Sequence, residues 1–450
     1  MLRVFQTAKD TPDRLAEKAS LSFESVPADA FFDNRITSVW VEPARTYQTV
    51  EGFGGAFTES AAVTFYKLSP AKRAAVLDAY FDPVRGNAYT LCRTHINSCD
   101  FSTGNYAYAE TPGDSGLKKF TIERDRKALI PLIREAFRTA GGPLKLFASP
   151  WSPPAWMKTN GKMNNGGKLK PECRGVWAEY FVRFIREYAK EGIPIWGLTP
   201  QNEPEATQTW DSCVFTAGEQ RDFIRDHLGP ALERAGLFSV KVIGYDHNRN
   251  RLPEWAETIL SDPDARRYVW GMGFHWYVSD NFDNVRLAHE MFPDKALLFT
   301  EGCLGPYDAT KLDDWSKGEA YGKSILADLN RWTVGWVDWN ILLDETGGPN
   351  HVGNFCFAPI HADTRTDSLH FMNSYHYIGH FSRFIKPGAV RIASAASVDE
   401  LETTAFRNPD GSLALVVLNR TGEAVPYAVR LGERSAKTES PAHSIRTYVF

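Results

Sequence analysis

Eight short runs rich in β-branched and aromatic residues recur along the middle of the chain, and helical patterns separate them. The runs are Thr49–Phe57, Thr90–Asn97, Leu144–Trp151, Pro194–Glu203, Val240–His247, Val269–Tyr277, Ala296–Gly302 and Val334–Leu342. Eight alternating strand and helix units predict a (β/α)8 TIM barrel. A doubly wound open sheet is the alternative, but no G-x-G-x-x-G sequence follows the first strand, so the usual cofactor signal of that fold is absent.

Three of the intervening segments carry clear helix signals. The strongest has a single apolar stripe at i, i+3 and i+4 spacing, formed by Trp177, Tyr180, Phe181, Phe184, Ile185 and Tyr188. Another is predicted to begin at Ser69-Pro70, an N-cap residue followed by proline at the first helical position. A third, near Glu123–Ala140, contains Pro131 and is expected to start late or to kink there.

After about residue 386 the pattern changes to strands with no helices between them. The predicted strands are Val390–Ala396, Leu401–Arg407, Leu413–Asn419, Val425–Leu431 and Ser444–Phe450. Asn408-Pro409-Asp410-Gly411 is a turn signal between two of them. Residues 20–49 also read as β-structure. The sequence therefore predicts a barrel over 50–385 and a small β-sandwich built from both chain ends, 1–49 and 386–450.

Composition narrows the class of protein. Of 450 residues, 43% are hydrophobic and 24% charged, and the net charge of −4 without a basic run argues against nucleic acid as a partner. The six cysteines are scattered without a Cys-x-x-Cys, which predicts no metal site and no dense disulfide framework. No cofactor is expected. The amino-terminal residues lack a signal-peptide pattern, so we expect a cytoplasmic protein unless a signal has been removed, with no integral membrane association. The oligomeric state is not predicted.

Two glutamates are the main candidates for catalysis. Glu203 stands in Leu-Thr-Pro-Gln-Asn-Glu-Pro and Glu301 in Leu-Leu-Phe-Thr-Glu-Gly, each after a short apolar run. They are predicted to end the fourth and seventh strands, whose carboxyl ends meet at one mouth of a barrel. A carboxylate pair is the chemistry of glycosidic bond cleavage, and a separation of about 5–5.5 Å is that of a retaining enzyme. Asn202 is expected to bind the sugar 2-hydroxyl, and the second carboxylate to raise the pKa of Glu203. Glu205, beyond Pro204, is interpreted as structural.

Several motifs resemble the glucocerebrosidase (acid β-glucosidase) family, glycoside hydrolase family 30. The similarity runs in order from about residue 50 to 388. It rests on EGFGGAFTE at 51–59, SCDFS at 98–102, ASPWSPPAWMKTN at 148–160, NEP at 202–204, HWY at 275–277, FTEG at 299–302, GWVDWN at 335–340, GGPN at 347–350 and GHFS at 379–382.

The resemblance implies a retaining β-glycoside hydrolase that acts by double displacement, of the β-glucosidase or glucosylceramidase type. It implies that Glu203 is the acid/base and Glu301 the nucleophile. It further implies that Asp100 and Trp151 bind hydroxyls of the innermost sugar. Arg93 would lie near Glu301 and help to keep it ionised.

The resemblance also implies a ring of residues around the cleft. His275 and Tyr277 would flank it beside Glu301, Trp339 would shape the sugar pocket, and Asn354 would contact ligand at the mouth. The loop from Ala206 to Thr216 is interpreted as individual to this chain, and Asp344, Glu345, Thr346 and His351 are expected to lie in the loop that shapes the entrance. Specificity for a lipid aglycone is therefore not carried over, and the expected substrate is a small β-glycoside, an oligosaccharide or a glycolipid.

Alternative functions remain within and outside this class. A β-xylosidase, β-fucosidase or β-1,6-glucanase would need only loop changes. A non-catalytic carbohydrate-binding barrel would be expected to lack one of the two glutamates, and both are present. A zinc hydrolase could use His376 and His380, four residues apart on a probable helix, but there is no His-Glu-x-x-His and the helix is rich in aromatic residues.

Overall fold

The computed structural model describes residues 1–26 and 37–450. The predicted β-region 20–49 thus lies partly outside the described residues, because 27–36 are not among them. The amino-terminal part contains four strands, which are β1 (Leu2–Ala8), β2 (Ala16–Leu21), β3 (Glu24–Ser25) and β4 (Ser38–Thr49). Strand β4 leads through two residues into the first strand of a barrel.

The middle of the chain forms a closed barrel of eight parallel strands. They are β5 (Gly52–Phe57), β6 (Leu91–Ile96), β7 (Lys145–Pro150), β8 (Ile195–Leu198), β9 (Lys241–Asn248), β10 (Val269–His275), β11 (Ala296–Glu301) and β12 (Thr333–Asn340). Each strand pairs with the next in the sequence, and β12 closes on β5. The predicted TIM barrel is confirmed, and the open-sheet alternative is wrong.

Eleven α-helices are found in the described residues. They are α1 (Glu59–Lys67), α2 (Pro70–Phe81), α3 (Leu129–Thr139), α4 (Arg174–Lys190), α5 (Ala217–Phe223), α6 (Gly229–Arg234), α7 (Leu252–Leu260), α8 (Pro263–Arg266), α9 (Phe282–Met291), α10 (Trp315–Leu329) and α11 (Asn373–Ser382). The apolar stripe of α4 is buried as predicted, and Ser69 caps α2 by accepting from the Lys72 N–H. Helix α3 starts late, with Pro131 in its first turn. None of the helices in the described part of the chain is long and apolar enough to cross a bilayer.

A second sheet joins the two ends of the chain. After β13 (Leu343–Asp344), β14 (Ile360–Asp363) and β15 (Ser368–Phe371) come β16 (Val390–Ala396), β17 (Leu401–Arg407), β18 (Leu413–Asn419), β19 (Val425–Leu431), β20 (Arg434–Ser440) and β21 (Ser444–Val449). The strand order is β2-β1-β21-β18-β17-β16-β4-β19-β20-β3. Its core contains Leu2, Val4, Val39 and Val41 beside residues of the carboxyl-terminal strands, so the predicted β-sandwich is confirmed.

The predicted strands do not include β1, β13, β14, β15 or β20, and one predicted strand extends too far. Strand β20 has the polar sequence Arg-Ser-Ala-Lys-Thr-Glu-Ser, which lacks the apolar alternation of a half-buried strand. Strand β8 ends at Leu198, five residues before Glu203, so the prediction that Glu203 ends the fourth strand is wrong. Pro200 explains the early end, since proline has no N–H for a strand ladder.

Close packing of the first two barrel strands explains a glycine in the Glu-Gly-Phe-Gly-Gly motif. A Cβ atom on Gly54 would lie 1.8 Å from the Leu91 carbonyl oxygen of β6. The glycine therefore serves backbone approach within the barrel wall. Below the barrel mouth the interior is filled by Leu91, Phe147, Ile243, Leu298 and Val337, which leaves only the carboxyl ends of the strands for a site.

Candidate active site

A cavity of about 460 Å³ opens at the carboxyl ends of the barrel strands. Both candidate glutamates line it. The remaining lining residues are Asp100, Phe101, Trp151, Asn202, Gln208, Trp210, His247, Asn248, Tyr277, Cys303, Gly305, Pro306, Trp339, Asn354, Phe355 and Cys356. Eight predicted site residues are among them, and the other two, Arg93 and His275, lie directly beneath, fully buried. The structure thus brings all ten predicted site residues together.

Glu301 is held by two donors at the end of β11. Arg93, on β6, donates through Nη1 to Glu301 Oε2, and the Tyr277 hydroxyl donates to Glu301 Oε1 at 2.7 Å. The Arg93 side chain is fully buried, whereas Tyr277 is 40% exposed at the rim. Both carboxylate oxygens are therefore oriented from opposite sides, which fixes the carboxylate toward the cavity.

Arg93 connects Glu301 to two further side chains. Its Nη2 donates to Asn202 Oδ1 and to Asp246 Oδ2, both at 2.9 Å. Asp246, on β9, adopts a φ of 73°, a strained backbone conformation for a residue with a side chain. Because the Asn202 oxygen is occupied by Arg93, its amide Nδ2 remains as the donor toward a sugar hydroxyl.

Glu203 sits on the turn after β8, held by backbone bonds to neighbouring strands. The Glu203 N–H donates to the Asp246 carbonyl at 3.0 Å, and the Asn202 N–H donates to the Pro150 carbonyl at 2.9 Å. Glu203 itself has a φ of 47°, which is uncommon for a residue other than glycine. Strained backbone of this kind clusters at functional sites, where surrounding structure holds it in place.

His275 lies between the two glutamates and under them. Its Nδ1 is 3.4 Å from Glu203 Oε1 and 4.0 Å from Glu301 Oε1, and its Nε2 is 3.0 Å from Asp246 Oδ1. Burial alone would lower the pKa of His275, but the charge of Glu301 and the bonds to Asp246 and Glu203 raise the pKa to about 9. The imidazole is therefore a cation at neutral pH.

This cation reverses one expectation from the sequence. Burial acts to raise the pKa of Glu203, but the hydrogen bond from His275 and the positive charges of His247 and His275 outweigh it, so the pKa is lowered. The expected raised pKa of Glu203 is thus wrong for the unliganded site. For Glu301, burial and the Glu203 charge outweigh His275 and Arg93, so the pKa is raised. Arg93 therefore favours the ionised form of Glu301, as expected, but does not dominate.

The sugar-facing wall combines one carboxylate with indole rings. Burial raises the pKa of Asp100 to about 8, although Asn354 Nδ2 donates to its Oδ2 at 2.9 Å. Trp151 and Trp339 stack with ring centroids 5.0 Å apart, and both pack with Phe101 under the cavity. A wall of this composition offers hydrogen bonds to hydroxyls and apolar faces to a sugar ring.

Sequence reasoning missed several residues of the site. Asp246 is the most important, and its signal was its place at the end of the predicted strand Val240–His247. His247 follows Asp246 and lines the cavity near Glu203. The Nδ1 atom of His247 lies 3.7 Å from Oε2 of a different glutamate, Glu205. Glu205 is absent from the cavity lining, in line with the structural role assigned to it. The other lining residues that were missed are Phe101, Gln208, Trp210, Asn248, Cys303, Gly305, Pro306, Phe355 and Cys356.

Within residues 1–26 and 37–450, one cluster of potential metal ligands occurs. Only Glu203, His275 and Glu301 bring one ligand atom each within 4.8 Å of one another. The two histidines of the zinc alternative do not form a site. Both His380 ring nitrogens lie 2.9 Å from threonine hydroxyls, those of Thr447 and Thr7, and burial lowers the pKa of His376 to about 4.

Two carboxylates at the mouth of a (β/α)8 barrel, less than 4.8 Å apart and beside a wall suited to sugars, define a glycoside hydrolase. Comparison with known proteins agrees. Residues 50–385 match the glycosyl hydrolase family 30 TIM-barrel domain, and residues 388–448 match the glycosyl hydrolase family 30 beta sandwich domain. The chain belongs to glycoside hydrolase family 30.

Three relatives illustrate the similarity. The chain is 40% identical over 427 residues to the lysosomal acid glucosylceramidase of Mus musculus, covering 91% of this chain and 82% of that protein. It is 29% identical to the endo-1,6-beta-D-glucanase of Neurospora crassa, covering 86% and 82%. The crystal structure of SrfJ from Salmonella typhimurium superposes with a TM-score of 0.94 at 38% identity, covering 100% of this chain and 99% of that one.

Proposed function

We propose that the protein is a retaining β-glucosidase that works by double displacement, with Glu301 as nucleophile and Glu203 as acid/base. One observation carries the proposal. An oxygen of Glu203 and one of Glu301 lie within 4.8 Å of each other. Of the two, only Glu301 accepts hydrogen bonds from both a guanidinium, that of Arg93, and a phenol, that of Tyr277. An inverting enzyme needs about 6.5–9.5 Å between its carboxyl groups to admit water, and a retaining enzyme about 5–5.5 Å.

In the first step a Glu301 oxygen forms a bond to the anomeric carbon of the sugar. The bond from that carbon to the leaving oxygen breaks, and Glu203 gives its proton to this oxygen. The product is a glycosyl ester on Glu301. Asn202 Nδ2 is placed to donate to the 2-hydroxyl, a hydrogen bond that strengthens in the transition state.

In the second step a water molecule takes the place of the leaving group. Glu203, now ionised, accepts a proton from the water, whose oxygen forms a bond to the anomeric carbon while the ester bond to Glu301 breaks. The lowered pKa of Glu203 suits this step. Because the two glutamates interact, they titrate as a pair. The state that reacts first has the proton on Glu203 and the charge on Glu301, which is the opposite of the placement that the lowered pKa of Glu203 and the raised pKa of Glu301 favour.

The β-glucoside assignment is supported by the resemblance and by the mouse relative, which is named a glucosylceramidase. Polar groups in the cavity lining favour a second candidate substrate. Gln208, His247 and Asn248 line the cavity, and on this proposal they bind a β-1,6-linked glucose unit as the leaving group. The Neurospora crassa relative, named an endo-1,6-beta-D-glucanase, is in line with this candidate. Pro306 and Phe355 on the rim would instead contact an apolar aglycone.

The test is a panel of aryl β-glycosides with glucosyl, xylosyl, galactosyl and fucosyl groups, given to wild type, Glu301→Gln and Glu203→Gln. We expect cleavage of the glucoside, its loss in Glu301→Gln, and a much smaller loss in Glu203→Gln, because a good leaving group needs no proton. Glucosylceramide and β-1,6-linked glucose oligomers then rank the two aglycone classes.

The stereochemical proposal has its own measurement. A 2-fluoro-2-deoxyglucoside should acylate the enzyme, and peptide mass spectrometry should place the sugar on the peptide that contains Glu301. Product of inverted configuration at the anomeric carbon, followed by NMR, would refute double displacement.

A further inference from the structure

Two cysteines face the catalytic cavity from adjacent chain segments. Cys303 follows β11 and Cys356 precedes β14, and both line the cavity. The two segments are joined beside the cysteines by backbone hydrogen bonds. The Phe357 N–H donates to the Leu304 carbonyl at 2.9 Å, and the Tyr307 N–H donates to the Phe355 carbonyl at 3.1 Å. This pairing fixes the two cysteines as neighbours.

The side chains also interact directly. Burial raises the pKa of the Cys356 thiol well above its ordinary value, and a side-chain hydrogen bond with Cys303 raises it further. Cys303 is the more accessible of the two, since Cys356 is only 4% exposed and Cys303 is half-buried on the cavity wall. Both thiols are free. An accessible thiol beside a second, shielded thiol is the usual arrangement of a cysteine that is oxidised and then resolved.

Cys303 is connected to the catalytic carboxylate through one side chain. Its Sγ lies 3.6 Å from the Tyr277 hydroxyl, and that hydroxyl donates to Glu301 Oε1 at 2.7 Å. Any movement of this sulfur therefore changes the surroundings of the group that orients Glu301. The proposed glycosidase chemistry of the site uses neither thiol.

We propose that Cys303 and Cys356 are a modification site, where peroxides or low-molecular-weight disulfides convert the two thiols reversibly into a disulfide bond. With hydrogen peroxide, the Cys303 sulfur forms a bond to one oxygen as the oxygen–oxygen bond breaks, which gives a sulfenic acid and water. The Cys356 sulfur then bonds to the Cys303 sulfur, the sulfur–oxygen bond breaks, and a second water leaves. Two electrons pass from the thiols to the peroxide.

The disulfide draws the Cys303 sulfur away from Tyr277 and toward Cys356. It also links the wall segment of Gly305 and Pro306 covalently to the neighbouring segment that holds Cys356. Displacements of about 1 Å in a catalytic site cost on the order of a hundredfold in rate. We therefore expect activity to fall by about tenfold to a hundredfold on oxidation. This expectation of lost activity rests on the proposed function, whereas formation of the disulfide does not.

The experiment treats the whole protein with hydrogen peroxide and maps its peptides without reduction. A crosslink between the peptides of Cys303 and Cys356, two hydrogens lighter than the thiols, is expected, together with loss of aryl glucosidase activity that dithiothreitol restores. In Cys356→Ala and Cys356→Ser the crosslink and the reversible loss should both disappear. Cys173→Ser, which removes a thiol outside the cavity, should keep both.

The outcomes separate the two proposals. Absence of the crosslink while other cysteines become oxidised overturns the disulfide. If the crosslink forms but the oxidised and the reduced protein are equally active, the proposed effect of the disulfide on catalysis is overturned. Equal and irreversible inactivation of Cys356→Ala shows that Cys303 alone is oxidised, which also overturns the pair. If no glycoside is cleaved, the proposed function fails, but the crosslink is still read from the masses.

Discussion

Replacing His275 with glutamine should shift both limbs of the pH–rate profile to higher pH. The imidazolium lies 3.4 Å from Glu203 and 4.0 Å from Glu301, and it lowers the pKa of each carboxyl. A hydrogen bond to a charged group contributes about 1.5–3 kcal/mol. At about 1.4 kcal/mol per pKa unit, losing it raises an apparent pKa by about 1–2 units.

The sign follows from charge alone. With a pKa of about 9, His275 is cationic over the acidic and neutral range, so it stabilises both carboxylates there. Glutamine keeps a donor but carries no charge. Both apparent pKa values of the glutamate pair therefore rise, whichever glutamate holds the proton, because they belong to the pair.

The assay is kcat/KM for an alkyl β-glucoside, whose leaving group needs a proton, from about pH 4 to about pH 9. His227→Gln is the matched control, since His227 stacks on Phe223 in the helical segment Ile224–Leu228, outside the network of the two glutamates. If the variant has a lower kcat/KM at every pH but unchanged apparent pKa values, the reasoning is refuted. That result would show that His275 maintains the structure of the site without setting the pKa values of the glutamates.

Three further outcomes follow from the same network. Arg93→Met should destabilise the fold by about 3–5 kcal/mol in urea unfolding, because Asp246 and Glu301 would stay buried without their shared guanidinium partner; an unchanged midpoint would contradict the buried network. His247→Ala should lower kcat/KM for a β-1,6-linked glucose disaccharide about twofold to tenfold while sparing an aryl glucoside, since a lost hydrogen bond to a leaving sugar costs about 0.5–1.5 kcal/mol; equal losses on both substrates would contradict a leaving-side role. Thermal stability should fall from pH 6.5 to pH 9. The protonated His275 contributes its full stabilisation below the pKa of histidine in the unfolded chain, and this contribution is lost as the pH rises through the folded-state pKa of about 9. His275→Gln should flatten that slope in calorimetry.

The barrel and the pairing of Glu203 with Glu301 could be predicted because both depend on local pattern. Strand periodicity marked all eight barrel strands, and the rule that barrel sites collect at the carboxyl ends then placed the glutamates together. Strand β20 could not be found in this way, because its residues are polar. Strand β8 stops at Leu198 because Pro200 cannot donate to a strand ladder, and apolar periodicity alone does not mark that stop.

The electrostatics of the site could not be predicted, because they arise from contacts among distant strands. Asp246, 153 residues from Arg93, completes a network that the sequence does not reveal. The cationic state of His275 depends on three carboxylates, from β9, β11 and the turn after β8. A count of neighbouring carboxylates predicts a raised pKa for Glu203, and the histidine cation reverses that sign.

Strand β1 has a consequence for how the protein is made. It lies between β2 and β21, and Arg446 of β21 donates to Gln6 of β1, 440 positions away in the sequence. During synthesis, β1 therefore leaves the ribosome long before β21, and one edge of β1 stays uncovered until β21 has been made. Its buried residues, among them Leu2 and Val4, stay available to other chains for that interval. Chaperone dependence of the nascent chain should therefore end only when β21 leaves the ribosome.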